Sequence, residues 1–178
     1  MNEDETFSRN ILYWGNENQQ RLASFHVAVF GLGGVGGYCC EMLVRSGIGE
    51  LTIVDFDEVS QSNINRQIIA LQSKIGEKKT RVFEERLKDI NPNIKLNIIS
   101  DFYTENLNDK FSTSNFDFIA DAIDTMRSKI SLLEFAYKSK IKIISSMGAG
   151  NRINPEELYI CDINDIRNKK KKKKKNVL

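Results

Sequence analysis

Proline, cysteine and histidine are scarce in this chain of 178 residues, which has two, three and one of them. So few prolines exclude a polyproline or collagen-like rod, and an apolar share of 40% excludes a wholly disordered chain. The three cysteines are the adjacent pair Cys39 and Cys40 and the remote Cys161, which form neither a paired disulfide framework nor a C-x-x-C metal spacing. They read as inert, buried thiols of a reducing compartment. No apolar run approaches the roughly 20 residues that cross a bilayer. The opening Met1-Asn2-Glu3-Asp4-Glu5 is acidic where a signal peptide is basic. A cytoplasmic location without a membrane segment is the expectation. The lone His26 starts an apolar stretch, which suits a structural role in a core strand. Net charge is also nearly absent, but the formal +2 hides an asymmetry, because seven of the 26 basic residues are the run Lys169 to Lys175. Without that run, 19 basic side chains face 24 acidic ones, so a basic tail follows a mildly acidic body.

What the chain does have is alternation. His26-Val27-Ala28-Val29-Phe30 is short, β-branched and aromatic, the signature of a buried strand, and it runs directly into Gly31-Leu32-Gly33-Gly34-Val35-Gly36-Gly37. Tyr38 to Ser46 reads as a short helix closed by Gly47 and Gly49, and Glu50 to Asp55 as a second strand. Strand, helix and strand within about 30 residues make a βαβ unit, and hence a parallel sheet. Further strands are expected at Ile94 to Ile99, Phe116 to Ala120 and Ile141 to Ser145, separated by helices at Lys78 to Ile90 and Met126 to Lys138. Leu158-Tyr159-Ile160 reads as a late strand, and Pro92 and Pro155 fall at turns. The fold class is therefore α/β: a Rossmann-like, doubly wound, mainly parallel sheet. Residues 1–25 form an N-terminal helical segment, 26–166 the nucleotide-binding domain and 167–178 a low-complexity tail.

Gly31, Gly33 and Gly36 satisfy G-x-G-x-x-G in the strand-to-helix setting the motif needs. Its glycines allow a tight turn and close backbone approach, and the free N–H groups at the start of the following helix receive a phosphate. Asp55 ends the second strand 19 residues past Gly36, where a carboxylate can accept ribose hydroxyls. The pattern points to an adenine nucleotide without naming it. Beyond Asp55 lie Asp57, Asn63, Arg66 and Gln67, then Gly76-Glu77-Lys78-Lys79. A dehydrogenase needs a nicotinamide surface here, whereas amides and cations suit a triphosphate, with Arg66 and Lys79 compensating charge as pyrophosphate leaves. A solvated loop and an exposed helix start explain the same composition.

The ordered phrases GLGGVG, DFDEV, SNINRQ, GEKK and Asp121-Ala122-Ile123-Asp124 resemble the ThiF/MoeB superfamily, whose members adenylate carboxylates and include the ubiquitin-activating enzymes. RSGIG, NRQI, DAID and the MGAG loop, Met147 to Gly150, are most similar to its tRNA threonylcarbamoyladenosine dehydratase branch. The similarity runs from about Phe7 to Ile166. It implies ATP phosphates on the loop of Gly31, Gly33, Gly34 and Gly36, and the ribose at Asp55. It also implies a phosphate path lined by Asp57, Asn63, Arg66 and Lys79, with Mg²⁺ at Asp124. Asp124 would equally serve as a helix N-cap, and Asp121 as a strand-end hydrogen-bonding residue. Arg9 aligns with an N-terminal arginine that such enzymes reach into the partner subunit's site, which implies a homodimer.

The implied reaction is adenylation of the threonylcarbamoyl carboxylate on a tRNA adenosine, followed by ring closure, with no enzyme nucleophile needed. The known superfamily fold continues past the point reached here, so a fragment of a longer domain is expected. Three rival readings stand beside it. One is activation of a ubiquitin-like or sulfur-carrier protein. Another is a non-catalytic nucleotide-binding module. The third, an NAD-dependent oxidoreductase, leaves Arg66, Lys79 and Asp124 unexplained. The lysine run is either an RNA-attracting tail or an inert low-complexity insertion, and no aromatic is interleaved to stack bases.

Overall fold

A parallel strand covered on both faces has no side chain to give to water, and His26–Phe30 (β1) obeys this: its last four residues are buried. The same holds for Glu50–Val54 (β2). In the computed structural model, which describes residues 3–111, 114–148, 154 and 158–165, these two strands centre a five-stranded sheet. Its other members are Lys95–Ile99 (β3), Phe118–Asp121 (β4) and Lys142–Ser145 (β5), each within one or two residues of the sequence expectation. The order is β3-β2-β1-β4-β5 and every pairing is parallel. The chain therefore winds outward from β1 through β2 to β3, then returns to β4 on the other side of β1. That reversal opens a crevice outside the carboxyl ends of β1 and β4, where doubly wound sheets bind ligands.

Three short helices, Glu3–Thr6 (α1), Ser8–Trp14 (α2) and Asn16–Ala23 (α3), precede β1. Gly36–Arg45 (α4) and Lys79–Ile90 (α5) cover one sheet face over Val27, Val29, Leu51 and Ile53, with Phe83 and Leu87 inserted between them. Asn108–Phe111 (α6) and Met126–Lys138 (α7) cover the other, where Phe30, Tyr103, Phe111, Phe116 and Leu132 form an aromatic-rich core. His26 lies at the start of β1 on this second face, its ring edge-on to Phe116 and its Nε2 2.8 Å from the Thr52 hydroxyl, which is a structural placement. Leu158-Tyr159-Ile160 is exposed and is not a strand, contrary to the sequence expectation: three apolar residues alone do not supply a neighbouring strand to pair with. Cys39 is half-buried and Cys40 buried, but Cys161 is exposed, so burial of all three thiols does not hold. Ala149 and Gly150 of the MGAG loop, Pro155 and the lysine run lie outside the described residues. The chain divides into two units, Met1–Met147 and Gly148–Leu178.

α2 and α3 are fastened to the far end of α4. Asn10 Nδ2 donates to the Arg45 carbonyl at 3.2 Å, and Gln19, buried, donates to the Ser46 carbonyl at 3.0 Å. α4 and α5 are joined by one carboxylate. Glu41 accepts from Arg86 Nε at 2.6 Å and Nη2 at 3.1 Å, and from Arg45 Nε at 2.9 Å. The Arg86 hydrogen bond, seconded by Arg45, holds the Glu41 carboxyl below its ordinary value. A lowered carboxylate pKa contributes stability that is present above the unfolded value and lost as pH falls through the folded one. Glu41→Gln should therefore cost about 1 kcal/mol at neutral pH, as the loss of charge-assisted bonds that are partly exposed on the arginine side. The gap from the parent should close in strong acid. Thermal melts at the two pH values check this, and an equal gap at both contradicts it.

Candidate nucleotide site

The site is built where backbone passes against backbone. Gly31 leaves β1 with φ +87°, and its N–H donates to the Val54 carbonyl at 2.8 Å. A Cβ at Gly31 would lie 2.7 Å from the Ala122 carbonyl oxygen, and one at Gly36 would drive into the Gly31 carbonyl. The turn therefore closes only with glycine at both positions, and β4 is drawn against it. α4 begins inside the motif at Gly36, two residues earlier than expected from the pattern, and no side chain caps its start at Val35. An uncapped first turn leaves N–H groups and the positive end of the helix dipole facing the crevice.

Asp55 follows β2 and is buried. Its Oδ2 accepts the Leu32 N–H at 2.6 Å and its Oδ1 the Asp57 N–H at 2.8 Å, so the acid ties the glycine turn to the second strand. Burial raises its pKa, opposed by those two backbone bonds and by Lys79. Two of the carboxylate's four lone-pair sites are used, leaving acceptor capacity at the crevice. Asp57 pairs with Lys79, Oδ2 to Nζ 2.7 Å; the lysine, first residue of α5, is buried while Asp57 is half-buried. A buried ammonium held by a single half-buried carboxylate retains donor capacity.

The segment between β2 and α5 faces the glycine turn. Asn63 is buried and forms a capping box with Ser60, its Oδ1 accepting the Ser60 N–H at 3.1 Å. That fold brings Arg66 and Gln67 to the loop: a Cβ on Gly34 would touch the Arg66 carbonyl at 3.4 Å, and one on Gly33 would lie 3.9 Å from Gln67 Nε2. Arg66 is exposed, its Nη1 donating to the Ser62 carbonyl and to Asn65 Oδ1 at 2.8 and 2.9 Å. Gln67 is only 7% exposed, and its Oε1 is the one buried side-chain polar atom without a partner among the described residues. The acceptor is thus unused in a side chain whose amide nitrogen lies by Gly33.

Asp124 stands exposed between β4 and α7, accepting the Thr125 hydroxyl at 3.3 Å. It does not cap α7, whose N-cap position is Thr125, so the helix-cap alternative is not adopted. Arg9 lies exposed on α2, whose neighbour Asn10 touches the carboxyl end of α4. The glycine turn is at the other end of that ten-residue helix, about 15 Å away along its axis. The structure thus gathers Gly31, Gly33, Gly34, Gly36, Asp55, Arg66 and Gln67 at one turn, places Asp57 with Lys79 beside Asp55, and does not bring Arg9 to them. Among the described residues no group of three or more His, Cys, Asp or Glu could hold a metal ion.

Sequence reasoning missed one constellation beneath this edge. Lys129, 2% exposed, donates to Asp121 Oδ2 at 2.7 Å, to Ser145 Oγ at 3.2 Å and to the Ser146 carbonyl at 3.0 Å. Asp121 also accepts the Ser145 hydroxyl at 2.6 Å and the Ile123 N–H at 3.0 Å. All three ammonium protons and both carboxylate oxygens are used, so the buried pair is satisfied and locks β4, α7 and β5 together. The signal was available: a lysine three residues before Leu132 lies on the apolar face of α7, where a cation needs a partner.

A family model described as the ThiF family matches residues 7–157. The tRNA threonylcarbamoyladenosine dehydratase of Haemophilus influenzae is 42% identical over 143 residues, 80% of this chain and 55% of that protein. The protein of the same name from Bacillus subtilis is 42% identical over 157 residues, 88% of this chain and 62% of that protein. The crystal structure of Escherichia coli tRNA N6-threonylcarbamoyladenosine dehydratase in complex with ATP superposes with a TM-score of 0.88 at 33% identity, covering 92% of this chain and 67% of that one. The chain thus spans somewhat over half the length of these two curated relatives. No helix among the described residues is long and apolar enough to cross a membrane.

Removing one member of the Lys129–Asp121 pair strands the other charge in the interior. Lys129→Met should destabilise the fold by about 3–5 kcal/mol, and the double variant Lys129→Met/Asp121→Asn should recover much of that loss. Denaturant titration of the parent, both single variants and the double variant reads the coupling, and additive effects would contradict a closed pair.

Proposed function

The chain belongs to the ThiF family, and from that premise we propose that it binds ATP at the glycine turn and adenylates a carboxylate. The observation that carries this reading is the facing of Arg66 and Gln67 onto Gly33 and Gly34 at the uncapped start of α4. A phosphate chain laid there meets backbone N–H groups on one side and the guanidinium and amide on the other. Asp55 accepts the ribose hydroxyls on its unused lone pairs. Lys79 turns its ammonium from Asp57 toward the phosphates, and Asn63 holds the segment that carries Arg66.

Asp124 would hold Mg²⁺ together with phosphate oxygens, a donor set that suits an ion usually bound by one or two carboxylates plus phosphates. When bound, the ion neutralises charge on the phosphates. The rest falls to the chain's own groups. The substrate carboxylate oxygen attacks the α-phosphorus, the bond from that phosphorus to the bridging oxygen breaks, and pyrophosphate leaves with its charge balanced by Arg66 and Lys79. An internal nitrogen of the acyl adenylate then attacks the activated carbonyl, loses its proton, and expels AMP, which keeps the original carboxylate oxygen. The net change in the substrate is loss of water.

The substrate class that fits best is the threonylcarbamoyl carboxylate on a tRNA adenosine, on the strength of relatives that carry that name at 42% identity. The protein works as a homodimer. Arg9 sits at the end of α4 remote from its own glycine turn, a position from which it serves a second subunit. Residues 1–25 act as the arm that delivers it, and 26–166 as the nucleotide-binding domain.

Isothermal titration should find ATP bound in preference to NAD. Arg66→Ala and Lys79→Ala should each weaken ATP by about tenfold or more, the worth of a charge-assisted bond. Pyrophosphate release should depend on tRNA bearing threonylcarbamoyladenosine. Preference for NAD, or ATP affinity indifferent to both substitutions, overturns the reading.

A further inference from the structure

The amino ends of the strands, about 15 Å down β1 from the glycine turn, carry a second concave surface. It is a groove of about 680 Å³ between α3 and the starts of β4 and β5. Three cations line it, Arg21, Lys140 and Lys142, all exposed and none of them ion-paired among the described residues. Elsewhere cations are matched: Lys74, Lys78, Arg86, Lys88 and Lys95 each have a carboxylate within 3.3 Å. The single acid among the lining residues, Asp117, accepts the His26 N–H at 2.8 Å, so positive charge is in excess. Aromatic rings alternate with these cations. Phe118 and Lys142 are partners in the β4–β5 register, so both side chains leave one face of the sheet, and Lys142 Nζ lies 5.3 Å from the Phe118 centroid. Phe118 meets Phe25 at 6.0 Å between centroids, and Arg21 Cζ lies 5.8 Å from the Phe25 centroid. Both rings are half-buried against the core, which fixes their place, and Trp14 borders the same groove.

Lys140 is held at the groove against its backbone preference. It follows the C-cap of α7 with φ +57°, the one positive φ outside glycine among the described residues. Its N–H donates to the Tyr137 carbonyl at 3.2 Å and the Ile141 N–H to the Ala136 carbonyl at 2.9 Å, the helix closure in which glycine fits best. A lysine there strains the turn and adds a cation to the groove. Unpaired cations call for a polyanion, and rings interleaved with them call for flat groups spaced along it. A single strand of nucleic acid supplies both, a phosphate at each step and a base between, whereas an acidic peptide supplies only charge. We propose that this groove binds an unpaired stretch of nucleic acid, with phosphates on Arg21, Lys140 and Lys142 and bases stacked against Trp14 and Phe25. The surface is distinct from the lysine run, which has no interleaved rings, and from the nucleotide site at the opposite ends of the strands.

Trp14 is the only tryptophan of the chain, so its fluorescence reports from this groove. The full chain titrated with a short oligouridylate should show saturable quenching, and Lys140→Gly, Lys142→Ala and Phe25→Leu test the contacts. Each lysine variant should weaken the RNA by about threefold or more and flatten the dependence of log affinity on log salt by about 0.7, as one lost phosphate contact to a single strand does. Lys140→Gly should do so while its Tm rises or stays unchanged, a combination that unfolding cannot produce. Phe25→Leu, measured well below its melting temperature, should weaken the RNA by about fivefold or more through lost stacking. ATP affinity, read by calorimetry, should be the same in the parent and all three variants. A glutamate-rich peptide of equal charge should not displace the RNA at matched concentration. Absence of quenching, or RNA affinity indifferent to Lys140→Gly, overturns the proposal. Displacement by the peptide, or a Phe25→Leu variant that binds like the parent, makes the groove a plain anion surface and also overturns it. So does ATP affinity that falls in step with RNA affinity.

Discussion

The contact of Gly31 with Ala122 is the constraint on which the site depends. A single side-chain carbon at Gly31 would sit inside the van der Waals distance of a carbonyl oxygen at the end of β4. Because that carbon is missing, the first turn lies flat against the returning half of the sheet. Asp55 then fixes the turn from the other side through the Leu32 N–H at 2.6 Å. The loop is held between β2 and β4 by one close approach and one charge-assisted hydrogen bond, and the start of α4 is aimed accordingly. No long side chain is needed to shape the turn.

Charge is distributed in two tiers around this turn. Below it, Lys129 and Asp121 neutralise one another with every donor and acceptor occupied, so they act as framework and have no capacity left for chemistry. At the level of the crevice the arrangement is left incomplete. Among the described residues Lys79 has one carboxylate partner, the Gln67 side-chain oxygen has none, and Asp124 accepts a hydroxyl. Such partial satisfaction is costly in an empty protein and suits a site whose remaining partners arrive with the ligand.

Much of this was legible from the residues alone. Continuous apolar runs marked β1 and β2 because both faces of a central strand are buried, and the boundaries of α7 matched because its periodicity is clean. The edges were less legible. The late strand at Leu158 to Ile160 failed because apolar content does not create a hydrogen-bonding neighbour, and Cys161 is exposed despite the general tendency of free thiols. Asp124 could not be told from a helix cap by sequence, since both uses favour the same residue at the same place. Lys129 went unnoticed because its meaning lies in what it touches, a strand end 8 residues away.

Residue order alone settles the class of the fold, the position of the glycine turn and the chemical character of the segment after Asp55. Each of these follows from local rules of periodicity, backbone freedom and residue type. Which polar groups are spoken for, and which remain open, is settled by packing. It turned Asp55 toward the Leu32 N–H, gave Lys129 to Asp121, left the Gln67 oxygen without a partner among the described residues and put Arg9 at the far end of α4. Those outcomes depend on distances between residues remote along the chain, which are set only when the sheet has assembled and the helices have packed against it.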